Sequence, residues 1–230
     1  MTFDEQDLAA QTSLRQLKKD IQTAESATLR LLLTEARTIN TWTNQEVSVE
    51  TLKEIYEIMK MGPTSANSCP ARLIFLKSRD AKERLRKALK PNNVDKTMKA
   101  PITAIIGYDI AFWKHAEKTF PQSPATQQAF KDNPSGSEIA AFRNGSLQGA
   151  YFIIASRAVG LDCGPMSGFD NALVDKEFFA GTTFRSNFLC NLGYGDVSAT
   201  FKRLPRHEFD EVCKIFSPSY LYHCIVTTQS

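Results

Sequence analysis

The sequence has 230 residues, 42% of them hydrophobic and 23% charged, with a formal net charge of +3. That is enough chain for one domain with a sizeable core, and the near-balanced charge gives no ground for a nucleic-acid or membrane-surface partner. No apolar run approaches the roughly 20 residues that cross a bilayer, and Asp4, Glu5 and Asp7 stand where a secretory leader would be apolar, so a cytoplasmic protein is expected.

The five cysteines (Cys69, Cys163, Cys190, Cys213, Cys224) are odd in number and contain no Cys-x-x-Cys pair, and His115, His207 and His223 are scattered. Neither a disulfide framework nor a zinc site is expected, and a reducing compartment suits the free thiols.

Along the chain, residues 1–27 form a polar, helix-prone extension in which Leu14, Leu17 and Ile21 recur at helical spacing. A second helix is predicted from Ser26 through LRLLLTEAR (29–37). VSVETLKEIYEIMKMGP (47–63) reads as a helix capped by Ser48, with Leu52, Ile55, Tyr56 and Met59 on one face and Gly62 and Pro63 as the stop. A polar loop (64–70) leads into a strand (71–77), a helix (80–89), a loop (91–96) and the buried strand ITAIIGY (102–108). Residues 117–137, with Pro121, Pro124, Pro134 and Gly136, read as a loop or lid. Then come the longest helix (137–160), a turn (161–170), a short helix (171–179), a strand with a Gly-rich exit (188–196), a helix (207–216) and a strand-like tail (220–228).

In the longest helix, Ala141, Gly145 and Gly149 are spaced by four and share a face. Each interior glycine costs roughly 1 kcal/mol relative to alanine, so another backbone is expected to come close. It belongs either to the same subunit or to a symmetry mate.

Four loops carry residues suited to a polar ligand. Thr64, Ser65 and Asn67 offer two hydroxyls and an amide. The glycines of CGPMSGFD (163–170) let a ligand approach the backbone. Asn93 and Lys96 lie one helical turn apart, and Arg203 and Arg206 could grip a phosphate with bidentate bonds. The ordinary reading of any one such loop is a turn. GYG (193–195) lacks the third glycine of a dinucleotide fingerprint, no Gly-x-Ser-x-Gly elbow is present, and Cys69 has no base placed near it in sequence.

PTSANSCPARLIFL (63–76), NNVDKTMKAPITAI (92–105), AFRNGSLQGAYFIIASRAVGLDCGPMSGFD (141–170) and NLGYGD (191–196), in this order, resemble the nitroreductase family, and within it the branch of malonic semialdehyde reductases, or 3-hydroxypropanoate dehydrogenases. The resemblance covers residues 28–216. It leaves 1–27 as an N-terminal helical extension and 217–230 as a C-terminal tail able to form a strand.

The resemblance implies an α+β fold, a mixed and mostly antiparallel sheet flanked by helices, in an intertwined homodimer with FMN between the subunits. It places the long helix at that interface. ARTIN (36–40) resembles an Arg-x-Ser-x-Arg segment that holds the flavin phosphate and ribityl chain. Thr38 supplies the hydroxyl, Ala36 and Asn40 stand at the cationic positions, and Arg37 would compensate from one residue away. Pro63, Thr64, Ser65 and Asn67 match the loop that reaches the partner's flavin. Asn93 and Lys96 match the residues on the pyrimidine edge of the ring, and Pro165, Met166, Ser167 and Gly168 the turn whose amides face N5 and O4. Arg203 and Arg206 match a phosphate clamp.

The implied activity is hydride transfer from NADPH or NADH through flavin N5 to a small acceptor. The branch points to malonic semialdehyde, reduced to 3-hydroxypropanoate in pyrimidine degradation. No protein nucleophile is needed. Arg143 is the candidate anchor for the substrate carboxylate, with an interhelical salt bridge as its alternative. The rival functions are a general nitroarene or quinone reductase and a flavin-binding protein without turnover.

Overall fold

The most apolar run of the sequence becomes the centre of the fold. In the computed structural model, which describes residues 5–20 and 26–216, β2 (Ile102–Asp109) pairs antiparallel with β1 (Ala71–Leu76) on one side and β4 (Phe184–Gly193) on the other. β3 (Asp162–Met166) pairs antiparallel with β4, giving a four-stranded sheet of order β1-β2-β4-β3. Thr38 adds a parallel bridge to Cys163 of β3. The α+β architecture with a mostly antiparallel sheet is the one expected.

Alternation along β2 explains why this strand is apolar throughout. Ile102, Ala104 and Ile106, with Cys190 and Leu192 of β4, pack against Leu52, Ile55 and Met59 of α3 (Val49–Met59) and Phe152 and Ala155 of α8 (Pro134–Ala158). Ile105 and Leu189 point to the other face, into a cluster with Leu85 of α4 (Arg79–Arg86) and Val174 of α9 (Asn171–Phe178). Fully burying one such isoleucine is worth about 1.5–3 kcal/mol, and a strand covered on both faces has no position left for a polar side to water. Ser48 caps α3 as predicted, its hydroxyl accepting from the Thr51 amide at 3.0 Å.

Three predicted loops are regular structure, for two reasons. Residues 91–96 belong to α5 (Pro91–Lys99). Residues 117–137 hold the end of α6 (Ala116–Thr119), then α7 (Pro124–Asp132) and the start of α8 at Pro134. In α5, α7 and α8 a proline occupies the first turn, where its fixed φ suits the helix and its missing N–H costs nothing. These prolines start helices. The turn at 161–170 contains β3, where Pro165 is tolerated because the strand lies at an edge.

Toward the N-terminus, α1 spans Glu5–Asp20. The second helix, α2 (Ser26–Leu29), continues as a π turn (Arg30–Thr34) and stops before Arg37, three residues short of the predicted end. At the other terminus the chain divides after Thr200, and from Phe201 it forms a separate unit. Residues 201–216 are exposed throughout, and the helix predicted at 207–216 shrinks to α10 (Phe209–Val212). The strand predicted at 220–228 lies outside the described residues. Among those residues no helix is long and apolar enough to cross a membrane.

The glycine face of α8 lies on the protein's own sheet. A Cβ at Gly145 would stand 2.8 Å from Tyr108 Cβ, and one at Gly149 would stand 2.5 Å from a ring carbon of Phe188. This corrects the expectation that the Ala141, Gly145 and Gly149 face crosses a symmetry mate, because Gly145 and Gly149 approach Tyr108 and Ile106 of β2 and Phe188 of β4, and Ala141 is buried. The outward face of α8 presents Ile139, Phe142 and Leu147, which are 58%, 51% and 42% exposed.

Gly149→Val should therefore force α8 off the sheet and destabilise the fold by about 1–3 kcal/mol, read as a lower urea midpoint. An unchanged midpoint would mean that the helix–sheet gap is not set by this glycine.

Candidate functional site

Two clusters of the predicted site residues form, one at each edge of the sheet. The first surrounds the turn after β3. The Lys90 amide and the Asn93 side-chain amide both donate to the Gly168 carbonyl, at 2.9 and 2.8 Å. The Asp170 amide donates to the Ala88 carbonyl at 2.8 Å, so the start of α5 is stapled to residues 168–170. Farther along α5, the Thr97 hydroxyl donates to the Met166 sulfur at 3.6 Å, and the Trp42 indole N–H donates to the Lys96 carbonyl at 3.3 Å. The extended segment after α2 is held on β3 by the Ile39 amide, which donates to the Cys163 carbonyl at 2.9 Å.

The polar groups left over at this turn define what it can bind. Among the described residues, the amides of Ser167 and Gly168 donate to no acceptor, and the buried Asn93 accepts nothing at its side-chain oxygen. Burial holds the Lys96 ammonium below the usual lysine range, and no carboxylate of the described residues lies within ion-pair distance of it. Two adjacent N–H donors, an amide oxygen and a partly dehydrated cation fit the polar edge of a flat heterocycle that gains negative charge on reduction. An isoalloxazine ring is such a heterocycle, and the donor set fits FMN.

The segment after α2 carries Arg37, Thr38 and Asn40. Thr38 and Asn40 are exposed, whereas Arg37 turns back and donates to the carbonyls of Glu35 at 2.7 Å and Ala36 at 3.3 Å. Arg37 lines a cleft of about 490 Å³ with Arg30, Glu35, Arg157 and Asp162, a cleft that neither Thr38 nor Asn40 lines. Successive side chains of an extended segment point to opposite faces, so the compensation expected of Arg37 does not bring its charge beside Thr38. Arg203 and Arg206 belong to the C-terminal unit, in which Arg206 donates to the carbonyls of Leu204 and Pro205 at 3.0 Å each.

The second cluster is the loop entering β1, and α8 holds it. Asn144, 1% exposed, accepts from the Ser65 amide and donates to the Ser65 hydroxyl, both at 2.8 Å. Gln148, also buried, accepts from the Ala71 amide at 2.8 Å, and the Tyr151 hydroxyl donates to the Pro63 carbonyl at 3.0 Å. Thr64 closes the loop on itself by accepting from the Cys69 amide at 3.2 Å, and Asn67 donates to the Thr119 carbonyl at 2.6 Å. Beneath the loop, the Asp109 amide donates to the Pro70 carbonyl, while its carboxylate accepts from Arg72 at 2.8 Å and Thr183 at 2.6 Å.

The loop is strained. Ala66, Asn67 and Cys69 have φ of 51°, 44° and 42°, in the left-handed region where a residue with a Cβ loses about 1 kcal/mol or more. The hydroxyl of Ser68 is buried and has no hydrogen-bond partner among the described residues. Such a shape persists only where its surroundings enforce it, and here they are the polar side chains of α8.

Arg143 is exposed, one residue before Asn144 and away from the first cluster. Asn144, Gln148, Tyr151 and Trp42 do not stand out in the sequence as site residues. A signal for two of them is there: polar residues at 144 and 148 repeat at the same interval as the glycines beside them.

An antiparallel α+β sheet with this donor set at one edge turn is the architecture of a flavin-dependent oxidoreductase. Residues 33–194 match the model of the nitroreductase family. HadB of Ralstonia pickettii, which carries the name NADH dehydrogenase/NAD(P)H nitroreductase, is 52% identical over 81% of this chain and 96% of its own. A relative of the same name from Caulobacter is 49% identical over 83% of this chain and 97% of its own. Among solved structures, a nitroreductase from Exiguobacterium sibiricum in complex with FMN aligns with a TM-score of 0.74 at 19% identity, over 84% of this chain and 98% of that one. The chain belongs to the nitroreductase family. It is an oxidoreductase of that family.

A Cβ at position 168 would stand 2.3 Å from the Asn93 side-chain nitrogen. Gly168→Ala should displace Asn93 and raise the FMN dissociation constant about ten-fold, or roughly 1.4 kcal/mol, in a fluorescence titration. Unchanged affinity would remove this turn from the cofactor site.

Proposed function

We propose that this protein works as a homodimer with two composite flavin sites and that its acceptor is malonic semialdehyde, reduced to 3-hydroxypropanoate. The observation that carries the flavin assignment is the pair of unclaimed amides at Ser167 and Gly168 beside Asn93 and Lys96. FMN bound there would supply the hydride chemistry that links NAD(P)H to the acceptor. The chain's own residues bind and orient. The Ser167 and Gly168 amides and the Asn93 oxygen fix the ring, and Lys96 stabilises the charge that reduction places on it. Thr38 and Asn40 would face the ribityl chain.

Two features support the dimer. The loop 63–70 leads into edge strand β1, the 167–168 turn comes after the opposite edge strand β3, and two strands separate them. At about 4.8 Å per spacing the edges are ~14 Å apart with the packed sheet between, so a second copy is the simple way for Pro63, Thr64, Ser65 and Asn67 to meet a turn like this one. The exposed stripe of Ile139, Phe142 and Leu147 gives that copy an apolar surface to cover.

The acidic acceptor rests on the motif resemblance and on Arg143, an exposed cation on the same helical turn as the clamp on Ser65. The visible spectrum tests the cofactor: the purified or FMN-loaded protein should show flavin bands that NADPH bleaches. Lys96→Met should slow that bleaching about ten-fold, the effect of losing one well-placed charge; wild-type rates would deny Lys96 its role. Arg143→Ala should raise KM for malonic semialdehyde by ten-fold or more while sparing an uncharged quinone. Equal effects on both acceptors would refute the anchor and favour a general quinone or nitroarene reductase.

A further inference from the structure

We infer that Asn144, supported by Gln148 and Tyr151, is a positioning residue of the reaction: without touching the flavin, it sets where the 63–69 loop stands against the partner's cofactor. The inference rests on the composite-site reading above and deepens it. Asn144, Gln148 and Tyr151 are spaced by four and three on α8, so they share one side of the helix. Their polar atoms engage Ser65, Ala71 and Pro63, which bracket the three left-handed residues of the loop. Asn144 grips both the amide and the hydroxyl of Ser65 while its own amide also donates to the Ala140 carbonyl at 2.8 Å. This buried side chain is therefore fully engaged and rigid. A loop carrying three unfavourable φ values and an orphaned hydroxyl at Ser68 does not hold its shape alone. Nothing in the core requires an asparagine at 144, since Ala141 and Phe152 fill neighbouring buried positions of α8 with apolar groups.

The test reads loop order and cofactor affinity separately, in the full chain. In FMN-free Asn144→Leu, the Ser65 amide should exchange with solvent deuterium at least ten-fold faster while the β2 amides keep their protection. In the same variant the FMN dissociation constant should rise ten-fold or more. Asn144→Asp, which keeps an acceptor for the Ser65 amide, should fall between Asn144→Leu and wild type in both readouts. Unchanged Ser65 exchange, or faster exchange with FMN affinity within two-fold of wild type, overturns the inference. Should Asn144→Leu fail to fold, wild-type values of exchange and affinity in both Asn144→Asp and Ser65→Ala would overturn it equally. A wild-type protein that takes up no FMN overturns the functional reading itself and this inference with it.

Discussion

The site depends on how closely α8 lies against the sheet. Two glycines on its inner face bring the helix onto β2 and β4 at a distance that side chains would forbid. That closeness puts Asn144 and Gln148, next to those glycines in sequence, within 2.8 Å of the loop entering β1. A helix standing farther out would leave two buried amides without partners and a strained loop without support, and an unpaired buried amide is costly. The glycines, the polar pair and the left-handed residues therefore act as one device.

At the opposite edge, polarity is handled by a relay through the core. The Thr103 hydroxyl donates to the Asn191 side chain at 2.8 Å, the Asn191 amide donates to the Thr97 hydroxyl at 3.4 Å, and that hydroxyl donates to the Met166 sulfur. Thr97, Thr103 and Asn191 are fully buried, yet each has a partner. The relay ties α5 to β3 and β4. Partial burial of Lys96 weakens its hold on its proton, a cost that a neighbouring negative charge reverses.

Much of this is legible in the sequence. The buried strand, the Ser48 cap and the long helix emerge from periodicity, and the motif resemblance singles out both Asn93 and Gly168, whose side-chain amide and carbonyl are hydrogen-bonded. What the sequence hides is of two kinds. Prolines at 91, 124 and 134 look like loop formers because the first-turn preference shows only when a strong apolar period comes after the proline, and here that period is weak. The glycine face of α8 is open to two readings because a close approach demands a neighbour without naming it. Contacts between residues far apart in the chain, such as Asn144 with Ser65 or Trp42 with Lys96, leave no local trace.

The placement of the two tryptophans has an optical consequence. Trp42 bonds to the backbone of Lys96 in the edge-turn cluster, and Trp113 lies in a short turn (Phe112–His115) a few residues before Thr119, which receives the Asn67 bond. The chain has no other indole. Each half of the site thus carries its own fluorophore. Emission from the intact protein is a resident signal of a yellow chromophore's arrival, and replacing either ring by phenylalanine would assign the quenching to one edge of the sheet.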